Sequence, residues 1–121
     1  EVEVATISGY SQYARFFDES SPQWNSIPEY NQTFIVSSQN YFNDLLQARG
    51  HVFLNEVYDH LGLPRSKAGQ AVGWVRDNGD NFIDFGVFTT YRPQVAEFIN
   101  GRSNTAVILD FNVDGVIWDL I

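Results

Sequence analysis

Apolar residues recur at helical intervals between Pro28 and Arg49, and this pattern predicts one long helix. Pro28 suits a first helical turn, and Gly50 provides a stop directly after the last one. Residues three or four positions apart lie on the same side of a helix, so the apolar positions form a wide stripe that we expect to be buried. The stripe consists of Tyr30, Phe34, Tyr41 and Leu45, with Ile35, Phe42 and Leu46 beside them.

Two hairpins are predicted in the second half of the chain, each from a two-residue turn signal between apolar runs. The first spans residues 72–85 and has Asn78-Gly79 at its tip. The second spans residues 107–120 and has Asp114-Gly115 at its tip. A two-residue loop there gives the second hairpin one apolar face, which pairs Val113 with Val116, Phe111 with Trp118 and Leu109 with Leu120. Because a slip by one residue would destroy this match, the pattern favours that register.

The remaining segments predict shorter elements. Alternating residues in 1–7 indicate an N-terminal strand, Asn55 begins a short helix, and residues 93–99 form a helical turn between the hairpins. We therefore expect an α+β fold in which an antiparallel sheet of hairpins, with the N-terminal strand, is covered by the long helix and short helices. The whole chain, residues 1–121, is predicted to be a single globular domain.

The chain is acidic, with fifteen Asp and Glu against seven Lys and Arg and a net charge of −8. Such a surface repels phosphate backbones and anionic membranes, so we expect no nucleic-acid partner. The absence of cysteine excludes a disulfide, a thiolate zinc site and a cysteine nucleophile. No apolar run approaches the ~20 residues that span a bilayer, so a membrane is expected only through segments outside this chain. Since the chain starts at Glu1 and lacks methionine, we expect a domain excised from a longer protein.

One segment has the spacing of a calcium-binding loop. Asp110, Asn112 and Asp114, followed by Gly115, match the start of an EF-hand loop, in which alternating oxygen ligands surround the ion. However, Ile121 occupies the position of the bidentate glutamate, and the hairpin accounts for every residue of the segment. These three residues are therefore weak candidates for a divalent-cation-binding module, and the sequence predicts no metal site.

Residues 55–70 predict a helix, a glycine turn and a second helix, the shape of a helix-turn-helix. This segment supports an alternative function as a nucleic-acid-binding regulator. A recognition helix needs several basic or amide side chains, and Arg65, Lys67 and Gln70 are the only ones in it. On so acidic a chain, phosphate contacts are difficult to sustain.

No arrangement of catalytic residues is apparent, so we expect no enzyme and no cofactor. His51 and His60 are the only histidines, and Asp59, next to His60, points elsewhere on a helix. The many carboxylates fall at turns or on expected solvent faces. Neither a nucleophile elbow nor a phosphate-binding glycine loop is present.

Several blocks of the sequence resemble a known family. The blocks include residues 13–19, 40–46, 53–58, 67–70, 72–75, 84–86 and 109–117. They resemble the C-terminal domain of uncharacterised proteins of bacteriophages and prophages. The resemblance implies a phage-encoded product with membrane-associated segments upstream of this domain, and it supplies no activity, cofactor or site residue.

These observations together favour a structural or protein-interaction domain, located in the phage virion or at the host cell envelope. We expect a protein partner or self-association. Aromatic residues beyond the needs of the core are the candidate contacts, namely Tyr10, Tyr13, Trp24 and Tyr91. The alternative is that these rings pack an irregular N-terminal segment against the sheet.

Overall fold

The computed structural model describes residues 9–87 and 106–121, and these residues form an α+β fold, as predicted. In chain order the elements are β1 (Arg15–Phe17), α1 (Pro28–Arg49), β2 (His51–Phe53), α2 (Leu54–Leu61), β3 (Val72–Val75), β4 (Val107–Leu109) and β5 (Gly115–Val116). Short 3₁₀ helices span Ala68–Gln70 and Trp118–Leu120. The predicted N-terminal strand and the predicted turn at 93–99 lie outside the described residues.

Helix α1 has the predicted bounds. Proline occupies its first turn, and the N–H of Gly50, at φ 98°, donates to the carbonyl of Leu46. This left-handed conformation is one that glycine adopts without strain, which explains why the helix ends there. The buried stripe is narrower than predicted, because Tyr30 and Tyr41 are exposed, and it includes polar residues. Its buried members are Asn31, Ile35, Ser38, Gln39, Phe42 and Leu46.

The strands form two antiparallel sheets. One has the order β2-β3-β5, and the other pairs β1 with β4. Val52 of β2 lies opposite Trp74, and Val72 lies opposite Val116 of β5. Strand β3 is therefore central, with both of its edges paired. Its Trp74 is fully buried in one core with Tyr58 of α2.

The predicted hairpin at 72–85 is wrong. A type I′ turn needs a positive φ at both central residues, and of Asn78 and Gly79 only the glycine has one. Positive φ values occur instead at Asp77 and Asn81, so the turn is wider than two residues. With β2 and β5 on its two edges, β3 has no edge left for residues 82–85.

Residues 82–85 instead lie along helix α1, held by amide side chains. Asn43 binds both backbone groups of Ile83: its Oδ1 accepts the N–H at 2.8 Å, and its Nδ2 donates to the carbonyl at 2.9 Å. One turn earlier, Gln39 Oε1 accepts the N–H of Phe85 at 2.9 Å. The four-residue step from Gln39 to Asn43 rises about 6 Å along the helix, and the two-residue step from Ile83 to Phe85 spans about 6.6 Å of extended chain. The two lengths agree, so the two side-chain amides meet alternate residues of the segment.

The predicted hairpin at 107–120 is also wrong. Its first arm, β4, pairs with β1, while its second arm, β5, pairs with β3. Asp114 lacks the positive φ that a type I′ turn requires, and its N–H donates to the carbonyl of Gly73. The intervening residues thus cross from one sheet to the other. As a result, Leu109 and Phe111 are buried, whereas Val116, Trp118 and Leu120 are exposed.

Candidate functional site

Residues 115–117 are held against β3 by backbone hydrogen bonds and by one inward-pointing side chain. Gly115 and Val116 pair with Gly73 and Val72, and the next N–H, that of Ile117, donates to the carbonyl of Ala71 at 3.0 Å. The Ile117 side chain is fully buried. The chain then turns through the 3₁₀ helix at Trp118–Leu120, which directs its side chains outwards.

Four large apolar side chains of this segment are exposed. Their exposed fractions are 63% for Val116, 58% for Trp118, 53% for Leu120 and 52% for Ile121. We call these four residues the 116–121 surface. Scattered apolar side chains are ordinary on protein surfaces, but four large exposed ones within six residues of a well-anchored segment are typical of a binding site.

The 116–121 surface continues onto β2 through aromatic contacts. The ring of Trp118 lies 5.1 Å from that of Phe53, which lies 5.6 Å from the ring of His51. Beside them is a shallow notch in the protein surface, which we call the arginine notch. It is lined by Arg49, Gly50, His51, Val75, Arg76, Leu120 and Ile121.

The two arginines of the notch differ in their partners. Arg49 forms an ion pair with Glu56 at 2.6 Å and also donates to the carbonyl of His51. Arg76 donates from Nη1 to the carbonyl of Gln47, in the last turn of α1, at 2.5 Å. Within residues 9–87 and 106–121, no ion pair includes Arg76. Arg76 is exposed and lines the notch.

A second aromatic group joins α1 to α2. The imidazole of His60 stacks between the rings of Phe34 and Tyr41, at 5.7 and 5.4 Å, and meets Phe42 edge-on. Partial burial lowers the pKa of His60 below its ordinary value, because the charged form is less well solvated there. The stacking explains this histidine as a packing residue between the helices.

The weak metal candidates are engaged in separate internal contacts. Asp110 accepts hydrogen bonds from Ser11, and Asn112 Oδ1 accepts from the indole of Trp74. The carboxylate of Asp114 accepts from the N–H of Val75 at 3.1 Å. Burial raises the pKa of Asp114, although the donors from Val75 and Asn78 oppose this shift.

The structure therefore does not direct these three side chains towards one point. Among the residues that the structure describes, no group of three or more His, Cys, Asp or Glu is placed to hold a metal ion.

The second helix that a helix-turn-helix requires is not formed. Helix α2 ends at Leu61, and only the 3₁₀ turn Ala68–Gln70 follows. The side chain of Asn55 binds both backbone groups of Ser66, which fixes the connection as a loop. Arg65 forms a bidentate pair with Asp59, and this hydrogen bonding lowers the pKa of the Asp59 carboxyl. One of the few basic groups in the segment is thus already paired.

The aromatic residues that the sequence suggested as partner contacts are not part of the 116–121 surface. Tyr13 and Trp24 are half-buried and pack against the core, with Trp24 5.2 Å from the ring of Phe17. Tyr10 is also half-buried. Tyr91 lies outside the described residues. The packing alternative therefore describes Tyr13 and Trp24, and the most exposed aromatic ring near the sheet is that of Trp118.

A family model extends over the entire chain. It describes a family of unknown function, DUF6353, and matches residues 1–121. The chain belongs to this family. Comparison with curated proteins and with solved structures gives no match.

Within this DUF6353 domain, the described helices include none that is both long and apolar enough to cross a membrane.

The sequence pattern missed the 116–121 surface because it assigned the same residues to the buried face of a hairpin. One signal was present: five of the six residues from Val116 to Ile121 are apolar, which exceeds what a strand with one solvent face needs. In the DUF6353 fold only Ile117 of these residues is buried. The other four apolar residues form the exposed surface.

Proposed function

We propose that this domain is a structural or protein-interaction domain, and that it binds a protein partner through the 116–121 surface. The observation that carries the proposal is the exposure of four neighbouring large apolar side chains on a segment fixed by Ile117 and β3. Tryptophan is enriched at the energetic centres of interfaces, because it buries a large ring and keeps a polar N–H. Trp118 is the expected anchor.

The anchoring of the segment supports binding by a preformed surface. Ile117 is buried, and backbone pairing with β3 holds Gly115 and Val116. A site that is ordered before association loses less conformational entropy on binding, so more of the contact energy appears as affinity. The surface is therefore suited to a partner that docks without rearranging the domain.

For the biological setting, we propose a phage-encoded protein that acts in the virion or at the host envelope. The support is the set of sequence blocks that resemble phage and prophage proteins, above all residues 53–58 and 109–117. A structural or protein-interaction domain needs a protein contact surface and no catalytic group. Gene neighbourhood tests the setting: capsid or tail genes beside it indicate a virion part, and lysis genes indicate an envelope role.

Selection of random dodecapeptides by mRNA display on the immobilised domain tests the interaction surface. The test variant is Trp118→Ser with Leu120→Ser, and the matched control is Tyr30→Ser with Tyr41→Ser, which removes two equally exposed apolar side chains from α1. We expect enriched peptides that bind the wild type and the control but not the test variant. If both double variants bind every enriched peptide as the wild type does, the 116–121 surface is not the interface.

A further inference from the structure

We propose that the arginine notch selects partners in which a carboxylate lies next to an apolar side chain. This inference rests on the proposed function and specifies the partner. The apolar side chain packs on Leu120 and Ile121, while the carboxylate binds the guanidinium of Arg76, with Arg49 nearby. The partner class is therefore an acidic, apolar peptide segment of another protein.

The distribution of charge is the first argument. The chain carries a net charge of −8, yet two of its seven Lys and Arg line this one notch, and no acidic residue among the described ranges lines it. His51 also borders it. A cationic rim around an apolar site on an acidic domain complements a carboxylate, and it disfavours partners with basic residues at that position.

The state of Arg76 is the second argument. Its backbone N–H donates to the carbonyl of Gly50, and one terminal nitrogen of its side chain donates to the carbonyl of Gln47. These contacts hold the guanidinium at the end of α1 and leave other donors of its planar fork for a ligand. Within the described ranges no carboxylate of the domain forms an ion pair with Arg76, so a partner's carboxylate would not compete with one.

Continuity with the 116–121 surface is the third argument. Leu120 and Ile121 belong to that surface and also line the notch. A partner anchored on Trp118 therefore reaches the arginines within a few residues of extended chain, at about 3.3 Å per residue. The apolar and cationic parts form one composite site.

A second copy of the domain is a less suitable occupant. Two chains of charge −8 repel one another, and β5, the edge strand beside the surface, is only two residues long. So short an edge offers few backbone hydrogen bonds for sheet extension. A different protein that presents one or two carboxylates in a short apolar segment carries far less charge to repel, and it needs no sheet edge.

The peptide selection described above also tests this inference. Enriched peptides should carry Asp or Glu within two residues of a large apolar residue. One such peptide is then synthesised with its acidic residue and with the isosteric amide, Asp→Asn or Glu→Gln. We expect the amide form to bind about tenfold more weakly, as for the loss of a charged hydrogen bond. Arg76→Gln should produce the same loss, and sodium chloride should weaken only the acidic form.

The matched control is Arg65→Gln, which removes an exposed arginine that follows α2 and does not line the notch, and it should leave affinity unchanged. The amide peptide changes no residue of the domain, so it remains informative even if Arg76→Gln disturbs the end of α1. Peptides that need the 116–121 surface but bind equally in acidic and amide form would overturn this inference and leave the proposed function intact. Failure to recover any surface-dependent peptide would overturn the proposed function itself.

Self-association is checked by light scattering over a range of concentrations. We expect the domain to remain monomeric. A dimer that Trp118→Ser with Leu120→Ser abolishes would make a second copy the occupant and overturn the acidic-peptide inference.

Discussion

Replacing Asn43 with leucine should detach residues 82–85 from helix α1. Asn43 is the side chain that satisfies both the N–H and the carbonyl of Ile83, at 2.8 and 2.9 Å, and Ile83 is fully buried. Leucine has a similar size and lacks both hydrogen-bonding groups. The substitution therefore leaves a partly buried donor and a partly buried acceptor without partners, while the volume of the site changes little.

The magnitude follows from these two groups. A buried polar group that loses its partner costs about 1–3 kcal/mol. Asn43 is half-buried, so water reaches part of the site and the expected loss lies in the lower half of this range, about 1.5 kcal/mol for each group and about 3 kcal/mol in total. For a chain of 121 residues this corresponds to a fall in Tm of roughly 10 °C.

Urea unfolding followed by tryptophan fluorescence measures this loss, with an unchanged slope indicating that only stability has changed. The control is Asn40→Leu, the same substitution at an exposed position of the same helix. It should shift the free energy of unfolding by less than about 0.5 kcal/mol. If Asn43→Leu costs no more than Asn40→Leu, amide recognition of the segment is not what holds it in place.

Two further substitutions test the core and the central strand. Burial raises the pKa of Tyr58 to about 12, so the unfolded chain loses this proton near pH 10 while the folded domain keeps it. Stability should therefore fall as pH rises from about 10 to about 12, by at most about 2–3 kcal/mol, and Tyr58→Phe should remove this part of the decline in urea midpoints. At Gly73 an added Cβ would collide with the backbone carbonyl of Val52, so Gly73→Ala should destabilise the domain by about 3 kcal/mol. Gly115→Ala, where the Cβ meets nothing within 4 Å and only φ is unfavourable, should cost about 1 kcal/mol in the same urea unfolding measurement, and equal losses would contradict the clash.

Helix α1 could be predicted from the sequence because the signals that define it are local. Its proline start, its glycine end and its apolar spacing all lie within residues 28–50. The α+β class followed in the same way from the order of the elements. Tertiary structure changed only the buried face, where Gln39 is buried and Tyr30 is exposed. Gln39 is buried because it hydrogen-bonds the backbone N–H of Phe85, which the helical pattern alone does not reveal.

The strand partners could not be predicted because they depend on competition between distant segments. Asn78-Gly79 and Asp114-Gly115 are both favourable turn pairs, and each predicts a hairpin when it is considered alone. In the fold, β3 receives β2 on one edge and β5 on the other, so both predicted partners are displaced. The side chains of Asn43 and Asn112 then bind the displaced segment, with Asn112 accepting the N–H of Asp84.

The same competition explains why the candidate site was hidden in the sequence. Removing an apolar side chain from water lowers the free energy. The gain is similar whether the side chain is buried within its own chain or against another protein. The predicted hairpin would have buried both Phe111 and Trp118 by pairing them within the chain. The fold instead uses Phe111 and Ile117 for the core and leaves Trp118 and Leu120 outside. Apolar side chains that the core does not need are available to bind a partner. On this domain Leu120 lies in the notch with Arg49 and Arg76, the arginines that we propose bind the partner's carboxylate.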